Sequence, residues 1–477
     1  MTNCDSSLPL FVDLDGTLIK SDMTLESALL LIKRNFLYLL LIPFWFLRGR
    51  PYLKQQLAQR TNVPLDYLPV NEEFFHFLKQ EKIKGRPITL ISASNQEVVS
   101  QVSDHFQLFD NAFGSDDQIN LKAENKLKRI RELNTGAFSY AGNSSADLPI
   151  WIEAQEAIIV NSNESLEQRL RMRRNTTAIL RFDNATPFPL KLWQAMRPHQ
   201  WLKNLLLFVP LVLAHRINDP TLLLQTTIGF LSFSFCASSV YLFNDMLDLN
   251  SDRQHHSKYR RPFASGELSL PVGCVAVPVL LLSAFAVGSL LPRNFVETLF
   301  LYWIVTSFYS FFLKRLFLID VITLAILYTM RIAAGAAAVS LTITGFLIAF
   351  SLFLFLGLGL VKRVTELVNL EKSDKDEAEG RAYSKNHIDS LTIIGVGSNL
   401  FAVLVFAFYT AAPDTTRLYS SPPILWLICP LLLCLLVRIW KQAREGKLDE
   451  DPVLFAITDR VSQLITVLSG LLLWLAT

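Results

Sequence analysis

Residues 244–266 read NDMLDLNSDRQHHSKYRRPFASG and follow a run, Thr221–Phe243, that carries no charge at all. Asn244, Asp245, Asp248 and Asp252 stand at i, i+1, i+4 and i+8. If the apolar run continues as a helix, the three aspartates share one face at its end. Carboxylates gathered in this way repel one another unless a cation lies between them. An oxygen-only set suits Mg²⁺, which binds through one or two carboxylates plus the phosphate oxygens of a substrate. Lys258, Arg260 and Arg261 follow at once and supply the positive charge that a phosphate or diphosphate needs. Acids for a metal and bases for phosphates, at the mouth of an apolar run, describe a site for a diphosphate substrate. A solvated loop needs no such spacing.

A second constellation opens the chain. In LPLFVDLDGTL, residues 8–18, a short apolar run ends in Asp13 and Asp15. Two residues apart on an extended strand, they point to the same side, and Gly16 permits a tight turn beyond them. A carboxylate is a weak nucleophile, which Mg²⁺ and a nearby lysine help by screening the charge of an incoming phosphate. Three later stretches offer partners. ITLISAS carries Ser92, NLKAENKLKRI carries Lys126 with Lys122 as a close alternative, and FSYAGNSSADLPIW carries Asp147.

These residues need two kinds of scaffold. The chain has 477 residues, 51% of them hydrophobic, which points to a membrane protein. The apolar share is uneven: residues 1–190 mix charge with short apolar runs, and most of the remainder is long apolar stretches. A net charge of +3 gives no basic field for nucleic acid. Cys4, Cys236, Cys274, Cys429 and Cys434 show neither metal-ligand spacing nor a disulfide framework. The first ten residues, MTNCDSSLPL, lack the layout of a signal peptide, so a cytosolic N-terminus is expected. Nine stretches approach the ~20 residues a spanning helix requires: 201–217, 221–243, 271–291, 294–312, 317–338, 343–361, 391–411, 421–438 and 461–477. Loops after the even-numbered stretches hold most of the lysines and arginines, which puts them and the N-terminal part on the cytosolic side. The stretch 317–338 contains Asp320 and Arg331, eleven residues or about three turns apart and so on one helix face. Ionisable groups at that depth line a cavity or form a buried pair between helices.

The 244–266 stretch resembles the NDxxDxxxDRxHxxKxxRPxAxG signature of the UbiA superfamily of intramembrane transferases, over roughly residues 190–477. The resemblance implies an all-α bundle of nine transmembrane helices. It implies that Asn244, Asp245, Asp248 and Asp252 hold Mg²⁺-diphosphate, and that Arg253, Lys258 and Arg261 contact the phosphates. Members that act on aromatic acceptors carry a second aspartate pair after the fourth span; this chain has Asp320 alone there. That pattern, with MRPHQWLKN at 196–204, LVKRVTEL and DPVLFAITDR, is more similar to the polyprenyl-phosphate phosphoribosyltransferase branch. That branch implies phosphoribosyl pyrophosphate as donor and a polyprenyl phosphate as acceptor. Lys203, Tyr309, Lys314 and Arg331, with Asp320, then become candidates for holding the lipid and ribose phosphates, although Lys and Tyr are also ordinary interfacial anchors. The other reading keeps a polyprenyl diphosphate donor and an aromatic or quinone-precursor acceptor.

The N-terminal stretch resembles the DxDGT motif of haloacid dehalogenase-type phosphatases, which implies a Rossmann-like α/β domain. In that family the first aspartate, here Asp13, attacks phosphorus, and the second, Asp15, protonates the leaving oxygen. Ser92 and Lys126 inherit phosphate binding, and Asp13, the Asp15 carbonyl and Asp147 inherit Mg²⁺. The last motif usually begins Gly-Asp, but this chain has Gly142-Asn143, one charge fewer for the metal. The expected organisation is a phosphatase-like domain over 1–174 with a helical insert at 22–84, a linker at 175–195, and a transmembrane domain over 196–477. The expected location is the inner (cytoplasmic) membrane. Within the insert, FLYLLLIPFWF at 36–46 is interrupted by Pro43 and is too short to span. It is expected to rest on the membrane or on the transferase half, or to be buried as a core helix. LKLWQAMRPHQWLKN, at 190–204 and overlapping the end of the linker, reads as an interfacial helix.

Overall fold

The computed structural model describes residues 8–116, 119–162, 164–173, 178–183, 188–372, 383–448 and 452–477. Cys4, residue 174 and parts of the expected linker, 175–177 and 184–187, lie outside the described residues. The chain divides into two compact units, one made of the residues up to Met196 together with Tyr241–Pro278, the other of Arg197–Val240 and Val279–Thr477.

The first unit is built on a parallel sheet. Strands β1 (Leu10–Val12), β2 (Ile88–Asn95), β3 (Asn111–Ser115), β4 (Ser139–Gly142), β5 (Glu156–Val160) and β6 (Ala178–Phe182) lie in the order β3-β2-β1-β4-β5-β6. The central strands are short and buried on both faces, as parallel strands covered by helices must be, and are mostly apolar apart from Ser139 and Glu156. Helices α1 (Met23–Arg34), α2 (Tyr38–Leu47), α3 (Arg50–Ala58) and α4 (Glu72–Ile83) come between β1 and β2. Then α5 (Gln96–Phe106), α6 (Glu124–Leu133), α7 (Leu148–Glu153) and α8 (Glu164–Arg173) alternate with strands, and α9 (Phe188–Met196) follows β6. Side-chain caps begin several helices: Asp22 accepts from the Leu25 amide, and Asn95 from Glu97.

The insert at 22–84 is not uniform. Ala28, Leu31 and Leu57 form a small cluster with Tyr38, Ile42, Trp45 and Leu53, joining α1, α2 and α3. Helix α4 instead sends Phe74 and Leu78 into the main core beside β1 and β2. Arg86, fully buried, locks the end of this region to the sheet, bonding Glu81 at 2.8 Å and Glu156 at 2.7 Å.

The second unit and the adjoining segments are helical. After a 3₁₀ run at Pro198–Phe208 come α10 (Val209–Leu213), α11 (Pro220–Leu247), α12 (Leu249–Gln254), α13 (Leu270–Gly288) and α14 (Arg293–Phe311). These are followed by α15 (Ile319–Ala338), α16 (Gly345–Lys372), α17 (Ile388–Thr410), α18 (Pro413–Leu418), α19 (Ile428–Arg444), α20 (Pro452–Thr458) and α21 (Arg460–Ala476). Among the described residues six helices are long and apolar enough to cross a membrane: those containing α11, α13, α15, α16, α17 and α19. The nine expected stretches therefore reduce to six by that measure. Stretch 294–312 is a helix of 19 residues and 461–477 one of 17. Stretch 201–217 is not one helix, since Pro210 follows a 3₁₀ run that ends at Phe208. A packing reason is visible. A Cβ on Gly335 of α15 would stand 2.0 Å from the Leu207 carbonyl oxygen, so glycine lets this irregular backbone lie directly on α15.

Candidate active sites

The acidic stretch begins where α11 ends. The helix stops at Leu247 and resumes as α12 at Leu249, and the ladder continues across Asp248 through Asp248 N to Asn244 O at 2.9 Å and Asp252 N to Asp248 O at 2.8 Å. Asp245 and Asp252 are buried and converge. One nitrogen of Arg261 donates to Asp245 Oδ1 at 3.2 Å and to Asp252 Oδ2 at 2.7 Å. A positive group thus stands between two carboxylates, the place where a cation would relieve their repulsion. Burial pushes the Asp252 carboxyl up to about 6, against the pull of Arg261. Asn244 lies half-buried one residue before Asp245, and Lys258 half-buried in a 3₁₀ turn at Lys258–Arg260.

Two members of the motif are engaged elsewhere. Asp248 forms an ion pair at 2.8 Å with Lys33, from the last turn of α1. Arg253 is buried and held by Glu26 of α1 through hydrogen bonds of 2.9 and 2.6 Å, and it also donates to the Ala264 carbonyl at 3.2 Å. Arg253 thus faces the Glu26 carboxylate. Among the described residues no three His, Cys, Asp or Glu side chains stand together as a ready metal centre. Asp245 and Asp252 are the two carboxylates of the motif that converge. Neither Glu26 nor Lys33 was visible as a site residue in the sequence, because both fall on an amphipathic helix that reads as an ordinary soluble surface.

The second constellation sits at the carboxyl ends of β1, β2 and β4. Gly16 adopts φ +76 just past β1, and a Cβ there would stand 2.0 Å from the Asn143 amide nitrogen, so only glycine admits Asn143 so close. Lys126 Nζ lies 2.9 Å from Asp13 Oδ1 and 4.0 Å from Asp147 Oδ1, which selects Lys126 over Lys122. Tyr140 ties the group together, accepting from Lys126 at 3.0 Å and donating to Asp147 at 2.8 Å. As an aromatic residue on a buried strand it gave no signal in the sequence. Asp147 Oδ2 also accepts from the amides of Asn143 and Ser144 at 3.2 and 3.0 Å. Asn143 thus orients Asp147 through its backbone.

Asp15 turns to the other side. It accepts from the Met23 amide at 2.9 Å, from Ser94 at 2.6 Å and from Ser92 at 3.4 Å. Burial raises the Asp13 carboxyl while Lys126 opposes the rise. Burial first, then the negative charge of Asp22, pushes Asp15 up to about 7. Asp13 is thus paired with the Lys126 ammonium, while Asp15 is held by hydroxyl and amide donors. Lys54 of α3 reaches the end of β2, bonding the Ala93 carbonyl and Asn120 Oδ1, the latter at 3.0 Å. Burial lowers its ammonium.

In the second unit Asp320 and Arg331 both lie on α15. Asp320 is fully buried and pairs with Arg363 of α16 at 2.6 Å, with Tyr383 as a further donor. Arg363 also bonds Glu366 at 2.6 Å and Tyr309 at 3.4 Å. Arg331 donates to Asn204 at 3.0 Å and to Tyr302 at 2.9 Å, and packs over the rings of Phe233, Tyr302 and Tyr328. Lys203 lies over the Tyr328 ring at 5.9 Å. Lys314 lies in the 3₁₀ turn Leu313–Arg315. Of the two expectations for this stretch, Asp320 forms a buried pair between helices with Arg363, while Arg331 is held by Asn204 and Tyr302.

Comparison with known proteins bears on the helical part. The sequence profile of the UbiA prenyltransferase family matches residues 205–461, more than half of the chain. The protein y4nM of Sinorhizobium fredii is 36% identical over 469 residues, covering 97% of this chain and 90% of that one. The decaprenyl-phosphate phosphoribosyltransferase of Mycobacterium tuberculosis is 27% identical over 289 residues, covering 60% of this chain and 91% of that one. A UbiA homologue from Archaeoglobus fulgidus, solved with GPP and Mg²⁺, aligns with a TM-score of 0.45 at 17% identity, covering 59% of this chain and 96% of that one. The chain is a multi-pass membrane transferase and belongs to the UbiA prenyltransferase family.

Proposed function

We propose that the helical part transfers the 5-phosphoribosyl group from phosphoribosyl pyrophosphate to a polyprenyl phosphate, and that the N-terminal α/β part removes the 5-phosphate from the product. The observation that carries the first step is the pair of buried carboxylates, Asp245 and Asp252, bridged by Arg261 at the end of α11. Hard oxygen donors around a cation position fit Mg²⁺, which binds through one or two carboxylates and completes its shell with phosphate oxygens. Asp245 and Asp252 would hold it, with Asn244 beside them and Asp248 joining once Lys33 releases it. A Mg²⁺ held there would supply charge neutralisation for the departing diphosphate. Arg261 and Lys258 take the diphosphate oxygens. A phosphate oxygen of the lipid bonds to C1 of the ribose as the bond from C1 to the diphosphate breaks.

Similarity to the mycobacterial phosphoribosyltransferase supports this donor. The engagement of Asp320 by Arg363 supports it too, because a carboxylate committed to a buried pair is not spare for a second metal. Phosphoribosyl pyrophosphate is water-soluble, so the acidic mouth and the N-terminal part face the cytosol, with the spans in the inner membrane.

The second step rests on the Asp13, Lys126 and Asp147 cluster and on Asp15. The resemblance of these residues to haloacid dehalogenase-type phosphatases is their basis, and Lys126 between Asp13 and Asp147 marks a position that fits a cation. Asp13 attacks the 5-phosphate, the ribose oxygen leaves with the proton of Asp15, and water then releases phosphate from Asp13. The test is to incubate membranes containing the protein with labelled phosphoribosyl pyrophosphate, with polyprenyl phosphate or 4-hydroxybenzoate added. Labelled lipid that depends on polyprenyl phosphate is expected. Prenylation of 4-hydroxybenzoate in a parallel incubation supplied with polyprenyl diphosphate instead identifies the protein as an aromatic prenyltransferase.

A further inference from the structure

Neither reaction uses α2. Its ten residues, YLLLIPFWFL, are apolar on every side, and none is buried. Tyr38, Ile42 and Trp45 lean on the α1–α3 cluster. The rest of the helix is open: Leu40 is 59% exposed, Phe44 65% and Leu47 81%. The expectation of a buried core helix is therefore overturned. At about 1.5 Å per residue the helix covers roughly 15 Å, half of a ~30 Å hydrocarbon core, so it cannot cross.

Three observations identify what covers it. The first is depth. Lys33, five residues before α2, pairs with Asp248, one residue beyond the end of α11. With 28 residues, α11 is about 42 Å long and outlasts the hydrocarbon core, so α2 starts beside the point where a membrane span emerges. The second is charge. From Ser27 to Leu65 the sequence has no acidic residue and six basic ones: Lys33, Arg34, Arg48, Arg50, Lys54 and Arg60. Arg34, Arg48 and Arg50 are exposed at the two ends of α2, where they suit an anionic leaflet. The third is composition. A protein interface carries about one hydrogen bond per 100–200 Å², whereas Leu39, Leu40, Leu41, Phe44, Phe46 and Leu47 have no side-chain polar atom to make one.

We propose that α2 lies in the headgroup layer of the bilayer, on the side where the acidic mouth opens, with its leucines and phenylalanines in the acyl boundary and its arginines among anionic headgroups. The N-terminal unit is thus held against the lipid surface by a contact of its own, whichever donor the transferase uses.

The test uses the unmodified full-length chain in vesicles of phosphatidylethanolamine and phosphatidylglycerol containing a phospholipid with a diazirine at the first acyl carbons. After irradiation and trypsin digestion, lipid adducts are expected on the peptide Asn35–Arg48, at least fivefold above those on the peptide containing Ile119. Ile119 belongs to the same unit and is 50% exposed. Phe44→Glu/Leu47→Glu should lower the α2 adducts to the Ile119 level while adducts on the spans persist. Three results would each overturn the proposal. These are adducts on the spans with none on Asn35–Arg48, α2 adducts only from a diazirine at the acyl terminus, and crosslinks joining α2 to a second copy in place of lipid.

Discussion

Glu26 and Arg253 lie 227 residues apart in sequence and meet through two hydrogen bonds of 2.6 and 2.9 Å, buried within one compact unit. One is on the first helix of the α/β part and the other in the aspartate motif, so the motif is braced by the domain that precedes it. Removing one partner of a buried pair leaves a charge without compensation, which costs about 3–5 kcal/mol. Glu26→Ala should therefore destabilise the full-length protein and lower the transfer rate. Glu26→Met/Arg253→Met, which removes both charges, should melt close to wild type. Thermal unfolding of the three proteins in detergent checks this, and equal melting of the single and double variants would refute the brace.

Asp245→Asn should slow transfer by ~10²–10³, the usual effect of removing a charge stabiliser from such a site, without changing the melting temperature. Lys33→Ala removes only a partly exposed pair, worth about 0–1 kcal/mol. It should leave stability intact and transfer within a few-fold of wild type. Rates measured at saturating Mg²⁺ separate the two.

The 244–266 stretch was legible in the sequence because metal and phosphate chemistry restricts which residues can stand at helical spacing. The sheet was legible because Asp13 and Asp15 follow a short apolar run. Partners across the fold were not. Eleven residues along a helix told that Asp320 and Arg331 share a face, but Asp320 meets Arg363 and Arg331 meets Asn204, pairings fixed only by how helices pack. The resemblance gives Arg253 a phosphate contact, but its buried pairing with Glu26 of α1 could not be read from the sequence. The stretch 201–217 was apolar enough to suggest a span, yet Asn204 within it is buried against Ser234 and Arg331. Apolar content alone does not register that.

The buried Asp320–Arg363 pair predicts a structural contribution from Asp320. Asp320→Ala leaves buried Arg363 with Glu366 as its carboxylate partner and should be destabilising, by less than the about 3–5 kcal/mol of a fully uncompensated buried charge. Asp320→Asn keeps a hydrogen-bond acceptor and should cost less, with most transfer activity retained at low temperature. Melting and rate measured on both variants check it. A fully stable but inactive Asp320→Asn would point to a role in binding instead.

The Glu81–Arg86–Glu156 network makes the sheet sensitive to acid. Burial works against the charged form of Glu81, but hydrogen bonds from Lys84 and Arg86 outweigh it and hold the carboxyl below its usual range. A carboxylate depressed on folding stabilises the native state above its unfolded value of about 4.3 and loses that contribution as pH falls through the folded value. Hydrogen exchange of β4 and β5, corrected for intrinsic rates, should show easier opening at pH 4 than at pH 6. Arg86→Leu leaves two buried carboxylates that favour protonation, so its opening should be easiest near neutrality and be partly relieved by acid.

The most direct measurement follows both steps in one lipid. Phosphoribosyl pyrophosphate carrying ¹⁴C in the ribose and ³²P in the 5-phosphate is given to membranes with polyprenyl phosphate. Wild type should yield lipid rich in ¹⁴C and poor in ³²P, and Asp13→Asn should yield lipid holding both labels in the donor's ratio, because Asp13 is the nucleophile of the second step. Lipid without ¹⁴C from the wild type would contradict the transfer, and the same label ratio from both proteins would contradict a phosphatase at Asp13.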